Sequence, residues 1–490
     1  MASESSSAAA AITFVVPSVL NPGGGGEQRI AMDVTSLADA FAKAVESKGP
    51  DFARRVMEPD GRTPRQLINV YVNGKNAKFS GGMDAKLGDG DEVYILPAVA
   101  GGSGGGGSGN SSGGNSTAAA QATISEGLTP RELDRFSRQV MLEEIGYNGQ
   151  IKLRQAKICI VGSGGLGNPI ATRLAAMGVG ALRIIDRDTI ELTNLHRQTL
   201  FDEDDVGQVK VEVAARKLRK LAPHCEIEPV PMSIGAANAA EAVEGCDVVV
   251  DALDSVDARY ALNAACVRLG IPFVTGAAVG VSGQAFTVMP GSSACYYCVF
   301  PDLDEDSMPT CSVEGVHPSI LSVVGGVEVA EAVKVVLGRE PSLSERILHI
   351  DLEEMEFHKT RTFRVPECPV CGDGGDGGGT DPGTPKQQQQ GKDRDGLVLE
   401  ELCGRNRGKR TFAVTPPAAL DVDLGAVSDA ARQIGFAVEN QGDLGLSLRT
   451  SELSVSITKK GSAVVVGTED EAGAAKLYGE LLGRGGREDR

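Results

Sequence analysis

Positive charge is scarce in this 490-residue chain: 48 Lys and Arg face 66 Asp and Glu, giving a formal net charge of −18. Nonspecific nucleic-acid binding rests on Lys and Arg neutralising phosphates, so this balance argues against it. A long uncharged apolar run is also missing, since no stretch approaches the roughly 18 residues that span a bilayer. The apolar run from Ala8 to Leu20 follows Glu4 without any preceding Lys or Arg, and we interpret its second half as a strand. We therefore expect a soluble protein with no membrane segment.

A disulfide-rich pattern is absent as well. The ten cysteines favour a reducing compartment, and hence the cytoplasm, over a secreted disulfide scaffold. Four of them form two C-x-x-C pairs, Cys295 with Cys298 in "ACYYC" and Cys368 with Cys371 in "ECPVCG". Four thiolates so spaced predict a closed tetrahedral structural zinc site, which leaves no open position for catalysis.

Two low-complexity stretches divide the chain into three parts. They run from Ser103 to about Gln121 and from Gly372 to about Asp395, and their compositions are typical of flexible linkers. The predicted domains are accordingly 12–102, 128–372 and 396–484, joined by linkers at 103–127 and 373–395. The first part reads strand, glycine turn, strand, helix, strand, strand, which predicts a β-grasp domain. It closes on Gly101 and Gly102, which by composition alone could equally begin the linker.

The second part alternates strands and helices, which predicts an α/β fold with a Rossmann-like, doubly wound sheet. The third part mixes strands and helices as a small α+β domain, and its sequence shows no recognisable chemistry.

A glycine loop, "GSGGLG" from Gly162 to Gly167, follows one predicted strand and opens a helix. Its backbone N–H groups and the helix N-terminus suit a phosphate, and Asp186 at the end of the next strand suits a ribose hydroxyl. A dehydrogenase binding NAD would present the same two features, so an oxidoreductase stays an alternative.

Two cations follow this loop in the sequence. Arg197, beyond Asn194, and Lys210 suit displacement at phosphorus better than hydride transfer, although each could be an ordinary surface charge. Asp254 follows a predicted parallel strand and is placed to hold magnesium, whereas Asp251, further inside that strand, suits a structural role.

Cys311 stands apart from both C-x-x-C pairs, in "MPTCSVEGVHPSI". It is either a reactive thiolate or a small buried apolar residue. His317 could assist such a thiolate, but a structural role suits it better.

Several motifs occur in an order that resembles a known family. Residues 128–372 resemble the MoeB/ThiF group of ubiquitin-activating-type adenylyltransferases through "RFSRQV", "VGSGGLG", "IIDRDTIELTNLHRQ", "GQVKVE", "DALDS", "CYYC", "TCSVEGV" and "CPVCG". The first part resembles the MoaD/ThiS sulfur carriers, whose tails end in Gly-Gly, through "GDGDEVYILPAVAGG".

The resemblance implies an enzyme that uses ATP and magnesium to join AMP to the carboxylate of a carrier's last glycine, with release of pyrophosphate. The acyl-adenylate is then open to a sulfur nucleophile, which yields a thiocarboxylate. The resemblance also implies a homodimer in which Arg138 reaches the partner subunit's phosphates, and a thioester or persulfide step at Cys311 in some members. The positions that it implies for the nucleotide are Gly165, Asp186, Thr193, Asn194, Leu195, His196, Arg197, Lys210, Asp254 and Ser255, the last in place of a more usual Asn.

Three hypotheses remain open at this stage. The fused carrier could be a substrate that a protease releases after Gly102, or a permanent docking or regulatory module of an enzyme that serves separate carriers or protein conjugation. The third is the NAD-dependent oxidoreductase. No rhodanese-like domain follows the predicted zinc site, so the sulfur donor is expected to be a separate protein. The sequence leaves open whether the product feeds molybdopterin, thiamine or thiolated-tRNA synthesis.

Overall fold

A computed structural model describes residues 9–16, 20, 28–65, 68–73, 75–77, 81–97, 127–303, 314–372, 397–402 and 409–483. The chain forms two compact units, residues 1–152 and 153–490. Gly101, Gly102, Cys311 and most of both predicted linkers lie outside the described residues. None of the helices that the structure describes is long and apolar enough to cross a membrane.

The first unit contains a five-stranded sheet in the order β2-β1-β5-β3-β4, in which β1 and β5 are parallel. Phe14 and Val16 of β1 are buried in one apolar core with Leu37 and Phe41 of α1. This confirms a small N-terminal sheet domain. Its elements are β1 Ala10–Val16, β2 Gln28–Val34, α1 Leu37–Lys48, α2 Pro50–Val56, β3 Ile68–Val72, β4 Lys75–Asn76 and β5 Glu92–Pro97.

Two further helices of this unit, α3 Pro130–Val140 and α4 Gly146–Gln155, pack with residues of the sheet. Thr129 is the N-cap of helix α3, and its hydroxyl and backbone share a capping box with Glu132. Val15, Tyr94 and Tyr71 stand side by side on β1, β5 and β3. They share a second buried cluster with Leu128, Leu133, Phe136, Val140 and Tyr147.

The second unit is built on an eight-stranded sheet in the order β13-β12-β11-β10-β9-β6-β7-β8. Strands β10, β9, β6, β7 and β8 run parallel, and the remaining pairs are antiparallel. The strands are β6 Lys157–Val161, β7 Ala181–Ile185, β8 Glu226–Val230, β9 Val248–Asp251, β10 Phe273–Val279, β11 Ser282–Val288, β12 Arg346–Asp351 and β13 Glu356–Arg361. Strand β6 has β7 on one side and β9 on the other, so the chain order reverses there. Open α/β sheets bind ligands at the carboxyl ends of the strands beside such a reversal.

Among the residues that the structure describes, six α-helices accompany this sheet. They are α5 Gly167–Ala176, α6 Lys210–Leu221, α7 Ala239–Val243, α8 Val256–Leu269, α9 Tyr296–Val299 and α10 Pro318–Leu337. The central strands are apolar throughout, and Val248, Val249 and Val250 are fully buried, as expected where helices cover both faces of a parallel sheet. The parallel Rossmann-like sheet is therefore confirmed.

The same unit ends in a six-stranded antiparallel sheet in the order β14-β15-β19-β18-β17-β16, here called the C-terminal sheet. Its elements are β14 Val398–Glu401, β15 Thr411–Thr415, α11 Leu424–Gln433, β16 Ala437–Gln441, β17 Gly445–Arg449, β18 Ser454–Thr458, β19 Ala463–Val466 and α12 Glu471–Leu481. Alternate strand residues such as Phe412, Leu446 and Ile457 bury themselves with Val427 of α11 and Tyr478 of α12. The two helices therefore cover one face of the sheet.

Candidate functional site

The glycine loop between β6 and α5 is held against the neighbouring strands of the parallel sheet. Gly162 has a φ of 102°, and a side chain there would collide with the carbonyl group of Ala252, which follows β9. Asn168 in the first turn of α5 donates to the carbonyl of Ser163 at 2.8 Å. The loop thus has a fixed shape that brings the start of α5 to the carboxyl edge of the sheet, where anions bind helix N-termini.

Asp186 follows β7 and accepts two backbone N–H groups at 2.7 Å, from Ser163 of the glycine loop and from Asp188. Asp188 in turn pairs with the buried Lys210 at 3.1 Å. Burial raises the pKa of Asp186, and the neighbouring charge of Lys210 opposes that rise. The structure therefore joins the glycine loop, the predicted ribose ligand and the predicted phosphate cation in one hydrogen-bonded set.

The segment after Asp188 makes a 3₁₀ turn at Leu192–Asn194. The side chain of Asn194 accepts the N–H of Glu191 at 3.1 Å, and Arg197 donates to the carbonyl of Thr193 at 2.8 Å. Asn194 is buried, Leu195 is half-buried, and Thr193 and His196 are exposed. In this structure Asn194 and Arg197 thus both brace the turn, and their predicted contacts with a nucleotide stay predictions.

The end of β9 carries the predicted magnesium residue. Asp254 is exposed just beyond the strand, and the hydroxyl of Ser255 accepts the N–H of Ala258 at the start of α8. Ser255 is therefore the N-cap of α8, which gives this position a structural contact that its sequence did not predict.

A buried charge network lies beneath Asp254. Asp251 is fully buried, pairs with Arg259 at 3.1 Å and accepts the hydroxyl of Thr275 at 2.6 Å. Arg259 also donates to the backbone carbonyl groups of Leu253 and Gly276. Burial opposes the charge of Arg259, but Asp251, Tyr296 and Glu328 together outweigh it, and the pKa of Arg259 is raised. Arg259 thus holds the loop that leads to Asp254, whose magnesium role stays a prediction.

Glu328 of α10 lies near this network and is also fully buried. Neither of its carboxylate oxygens has a hydrogen-bond partner among the residues that the structure describes. Burial, followed by the negative charge of Asp251, raises its pKa well above the ordinary value. The sequence reading missed Glu328, since an acid inside an apolar helix pattern gives no sign of whether it has a partner.

The four paired cysteines meet in one cluster, with their sulfur atoms all within 4.8 Å of one another. Neighbouring sulfurs are separated by 3.8 Å between Cys295 and Cys298, 3.7 Å between Cys295 and Cys368, and 3.4 Å between Cys298 and Cys371. Sulfurs about 2.3 Å from one tetrahedral ion would lie about 3.8 Å apart. The donor set and its spacing therefore fit zinc.

The remaining candidates give less information. Arg138 lies in the last turn of α3, in the first unit, and its expected role in a partner subunit stays a prediction. The nitrogen Nδ1 of His317 accepts the N–H of Ser319 and so caps α10. The sequence reading missed Asp188, although its position two residues after Asp186 in "DRD" is a usable signal for a second acid on the same side of the chain.

Comparison with known proteins decides the family. Residues 136–370 match the ThiF family, and residues 23–102 match the ThiS family. The SAMP-activating enzyme E1 of Haloferax volcanii is 41% identical over 249 residues, which are 51% of this chain and 92% of that protein. The chain belongs to the ThiF family.

Two more relatives, each called a sulfur carrier protein adenylyltransferase, agree with this. The Thermus thermophilus protein is 40% identical over 50% of this chain and 93% of its own length. The Bacillus subtilis ThiS adenylyltransferase is 32% identical over 71% of this chain and 99% of its own length.

Membership of the ThiF family confirms the resemblance that the motifs indicated, together with a ThiS-like domain fused at the N-terminus. It also identifies the enzyme class as an E1-like adenylyltransferase, so the oxidoreductase alternative is wrong. In this ThiF-family chain the hydrogen-bonded set of Ser163, Asp186, Asp188 and Lys210 is the candidate nucleotide site.

Proposed function

We propose that this protein uses ATP to adenylate the C-terminal glycine carboxylate of a ubiquitin-like sulfur carrier of the MoaD/ThiS type. One observation carries the proposal: a ThiF-family segment and a ThiS-family segment that ends at Gly102 stand in the same chain. The parallel pairing of β1 with β5 at the centre of the N-terminal sheet supports a β-grasp fold for that carrier.

In the proposed reaction a carboxylate oxygen of the carrier's last glycine attacks the α-phosphorus of ATP. The bond from that phosphorus to the pyrophosphate oxygen breaks, and pyrophosphate leaves. Asp186 would bind the ribose, the glycine loop with Gly165 the phosphates, and Lys210 the charge that builds up on the phosphate oxygens. The other nucleotide contacts that we propose are Thr193, Asn194, Leu195, His196, Arg197 and Ser255.

Two metals belong to the proposal. Magnesium, held by Asp254, would neutralise phosphate charge as the bond breaks. Zinc would bind Cys295, Cys298, Cys368 and Cys371 and stabilise the fold.

We further propose a homodimer with Arg138 acting across subunits, a separate sulfur donor and a reducing, cytoplasmic location. The acyl-adenylate would pass to a sulfur nucleophile, and Cys311 is a candidate for a covalent step there.

Carrier-dependent exchange of labelled pyrophosphate into ATP tests this function. The full chain is mixed with a carrier fragment that ends at Gly102, and the matched control is the same fragment extended by Ser103. We expect exchange only with the fragment ending at Gly102, because only its last residue presents a glycine carboxylate in the matching position. Equal exchange with both fragments, or none with either, would contradict the proposal.

A second candidate role for the fused domain is that of a docking module that stays attached. The buried cluster shared by Val15, Tyr71 and Tyr94 with α3 and α4 favours it, because a loosely tethered substrate needs no such contact. The rings of Tyr94 and Tyr147 are stacked with centroids 4.5 Å apart, and Tyr147 accepts the N–H of Leu128 at 3.0 Å. The domain is thus packed on the helices of its own unit.

Intact mass spectrometry of the protein from its native host separates the two roles. A species ending at Gly102 would identify the domain as a released substrate. Full-length chain alone, in cells that make the thiolated product, would identify it as a permanent module. The same measurement on a Gly102→Val variant shows whether any cleavage depends on the terminal glycine.

A further inference from the structure

The C-terminal sheet, to which the proposed function gives no task, turns its uncovered face toward the ThiF-family part of its own unit. One row of directly paired residues crosses all its strands on that face. The row is Glu400, Ala413, Val464, Ser456, Ser447 and Asn440. Three of its members, Ala413, Ser456 and Ser447, have small side chains, and Ala413, Val464 and Ser447 are buried. A flat row of small side chains allows another backbone to approach closely.

Two members of the row contact the segment that follows β7. Glu400 pairs with Arg187 at 3.1 Å, and the hydroxyl groups of Ser456 and Thr189 are 3.0 Å apart. Arg187 and Thr189 alternate along the chain with Asp186 and Asp188 of the candidate nucleotide site. Successive side chains of an extended segment point to opposite sides. In "DRDT", Asp186 and Asp188 therefore lie on the side of the candidate nucleotide site, and Arg187 and Thr189 lie on the side that contacts the C-terminal sheet.

The other end of the row contacts the segment that leads into α6. Asn440 donates to the carbonyl of Val206 at 3.0 Å, and Ser447 donates to the carbonyl of Gly207. Glu212, two residues after Lys210, accepts the N–H groups of Asp443 and Leu444, both at 3.0 Å. These two groups belong to the turn between β16 and β17. A side chain on Gly442 in that turn would collide with Glu212, so the fit is close.

The two contacted segments are themselves bonded to each other. Ile190 donates to the carbonyl of Gln208 at 2.9 Å, and the backbone of Lys210 donates to the carbonyl of Asp188 at 3.0 Å. Thr189 and Val209 form a β-bridge. These backbone bonds join residues 188–190 to residues 207–210. The two segments that contain them, 186–190 and 206–212, are together called the site ladder here; they carry Asp186, Asp188 and Lys210, and the C-terminal sheet packs along them.

We propose that the C-terminal domain is a positioning element of the nucleotide site. Its contacts with both ends of the site ladder hold Asp186 and Lys210 in the arrangement that binds ATP. This inference rests on the proposed function for the identity of the nucleotide. A ribose contact through Asp186 is made equally in the ground state and the transition state, so loosening the ladder should raise the Kd and the KM for ATP. Lys210 acts on charge that builds up in the transition state, so its displacement should lower kcat as well. Glu400, Ser456 and Ser447 are then positioning residues that act through Arg187, Thr189 and Gly207.

Glu400→Gln in the full chain is the first test, and Glu439→Gln is its matched control. Both glutamates lie on the C-terminal sheet, and 35% of each side chain is exposed. Glu400 pairs with Arg187 of the site ladder at 3.1 Å, whereas Glu439 pairs with Arg449 of its own sheet at 3.2 Å. We expect Glu400→Gln to raise the KM for ATP and the directly measured Kd about 3- to 10-fold, the usual size of such remote coupling. The Glu439→Gln protein should match the wild type in both.

Ser456→Arg is the second variant, because a long side chain there would wedge the sheet away from Thr189. Ser456 lies on the face opposite the apolar core of the domain, so the domain should stay folded. Amide hydrogen exchange measures whether ATP binding is coupled to the C-terminal domain, which a purely structural role of that domain would not require. By linkage, ATP should slow exchange at the Asp443 and Leu444 amides of the wild type, and this protection should shrink in Ser456→Arg.

The outcomes separate this inference from the proposed function. If Glu400→Gln and Ser456→Arg bind ATP with the wild-type Kd and ATP leaves the Asp443 and Leu444 amides unprotected, the positioning role is overturned, even where carrier-dependent exchange is observed. If the wild type shows no carrier-dependent exchange, the proposed function fails. In that event the Kd for ATP and the amide protection still decide the positioning role.

Discussion

Glu328 provides the sharpest test of how burial shapes this fold. It shares α10 with Glu331, three residues later, and both side chains are buried. Glu331 accepts the N–H of Leu343 at 2.8 Å and the hydroxyl of Thr287 at 3.1 Å, and it pairs with Lys334. Glu328 has no such partners among the described residues. The same side chain thus occurs in satisfied and unsatisfied form on a single helix.

Replacing Glu328 by Met removes the unsatisfied polar atoms and roughly keeps the volume. Leaving one buried polar group unsatisfied costs about 1–3 kcal/mol, so Glu328→Met should stabilise the second unit by about that amount. Because 1 kcal/mol shifts Tm by roughly 2–4 °C in a domain of about 150–250 residues and by less in a larger one, the gain in Tm should be about one to a few degrees. Glu331→Gln is the control, and it should lower Tm because an amide cannot accept all the bonds that the carboxylate accepts.

The ionisation of Glu328 should make the stability of the wild-type protein depend on pH. The folded-state pKa of Glu328 is raised, so between the unfolded value, about 4.3, and the folded value the native protein holds the extra proton. As the pH rises through this range, Glu328 loses its proton in the folded protein and leaves a buried charge. The free energy of unfolding of the wild type therefore falls. The difference in Tm between Glu328→Met and the wild type should be smallest near pH 4 and should grow toward neutral pH.

Scanning calorimetry of the full chain at one scan rate, from pH 4 to pH 8, measures this difference. A Tm difference that stays constant over the whole range would refute the desolvation of Glu328. A loss of stability in Glu328→Met at neutral pH would show that the carboxylate has a partner that stabilises its charged form.

Two further predictions concern the candidate site. Cys298→Ser should lose the zinc that we expect at one ion per chain, whereas Cys225→Ser, a buried cysteine outside the cluster, should keep it; metal analysis of the purified proteins measures both. Lys210→Met should lower kcat/KM for carrier-dependent exchange by about 10²- to 10³-fold, the usual effect of removing one charge-stabilising donor. Lys220→Met, an exposed change on the same helix, should leave it unaltered, and equal rates for both variants would contradict the role of Lys210.

The sequence predicted the elements whose signals are local. The glycine loop, the strand that ends at Asp186 and the C-x-x-C pairs each occupy a short stretch with one physical explanation, and the structure contains all three. The family followed from the order of several motifs rather than from any single one. The small N-terminal sheet, the parallel sheet and the third, mixed domain were likewise readable from strand and helix periodicity.

What the sequence could not predict depends on contacts between distant residues. Glu212 is an ordinary acid on the polar face of α6 until the turn at Asp443 and Leu444 reaches it from more than two hundred residues away. Ser255 differs from the expected Asn, but only the geometry of α8 shows that its hydroxyl caps the helix. Likewise, the sequence "GGVEVAEAV" does not show that Glu331 has hydrogen-bond partners whereas Glu328 has none among the described residues.

The two roles proposed for the ThiS-like domain are compatible because they require different states of one peptide bond. While Gly102 remains joined to Ser103 it has no carboxylate, so the attached domain cannot be adenylated however well it docks. Its contacts through Tyr94 and Tyr147 keep it packed on α3 and α4 in that state. Cleavage would create the carboxylate without changing those contacts, since all of them lie outside residues 98–126. In the substrate role that we propose, cleavage of this bond, rather than a change in the packing of the domain, would convert the docked module into a substrate.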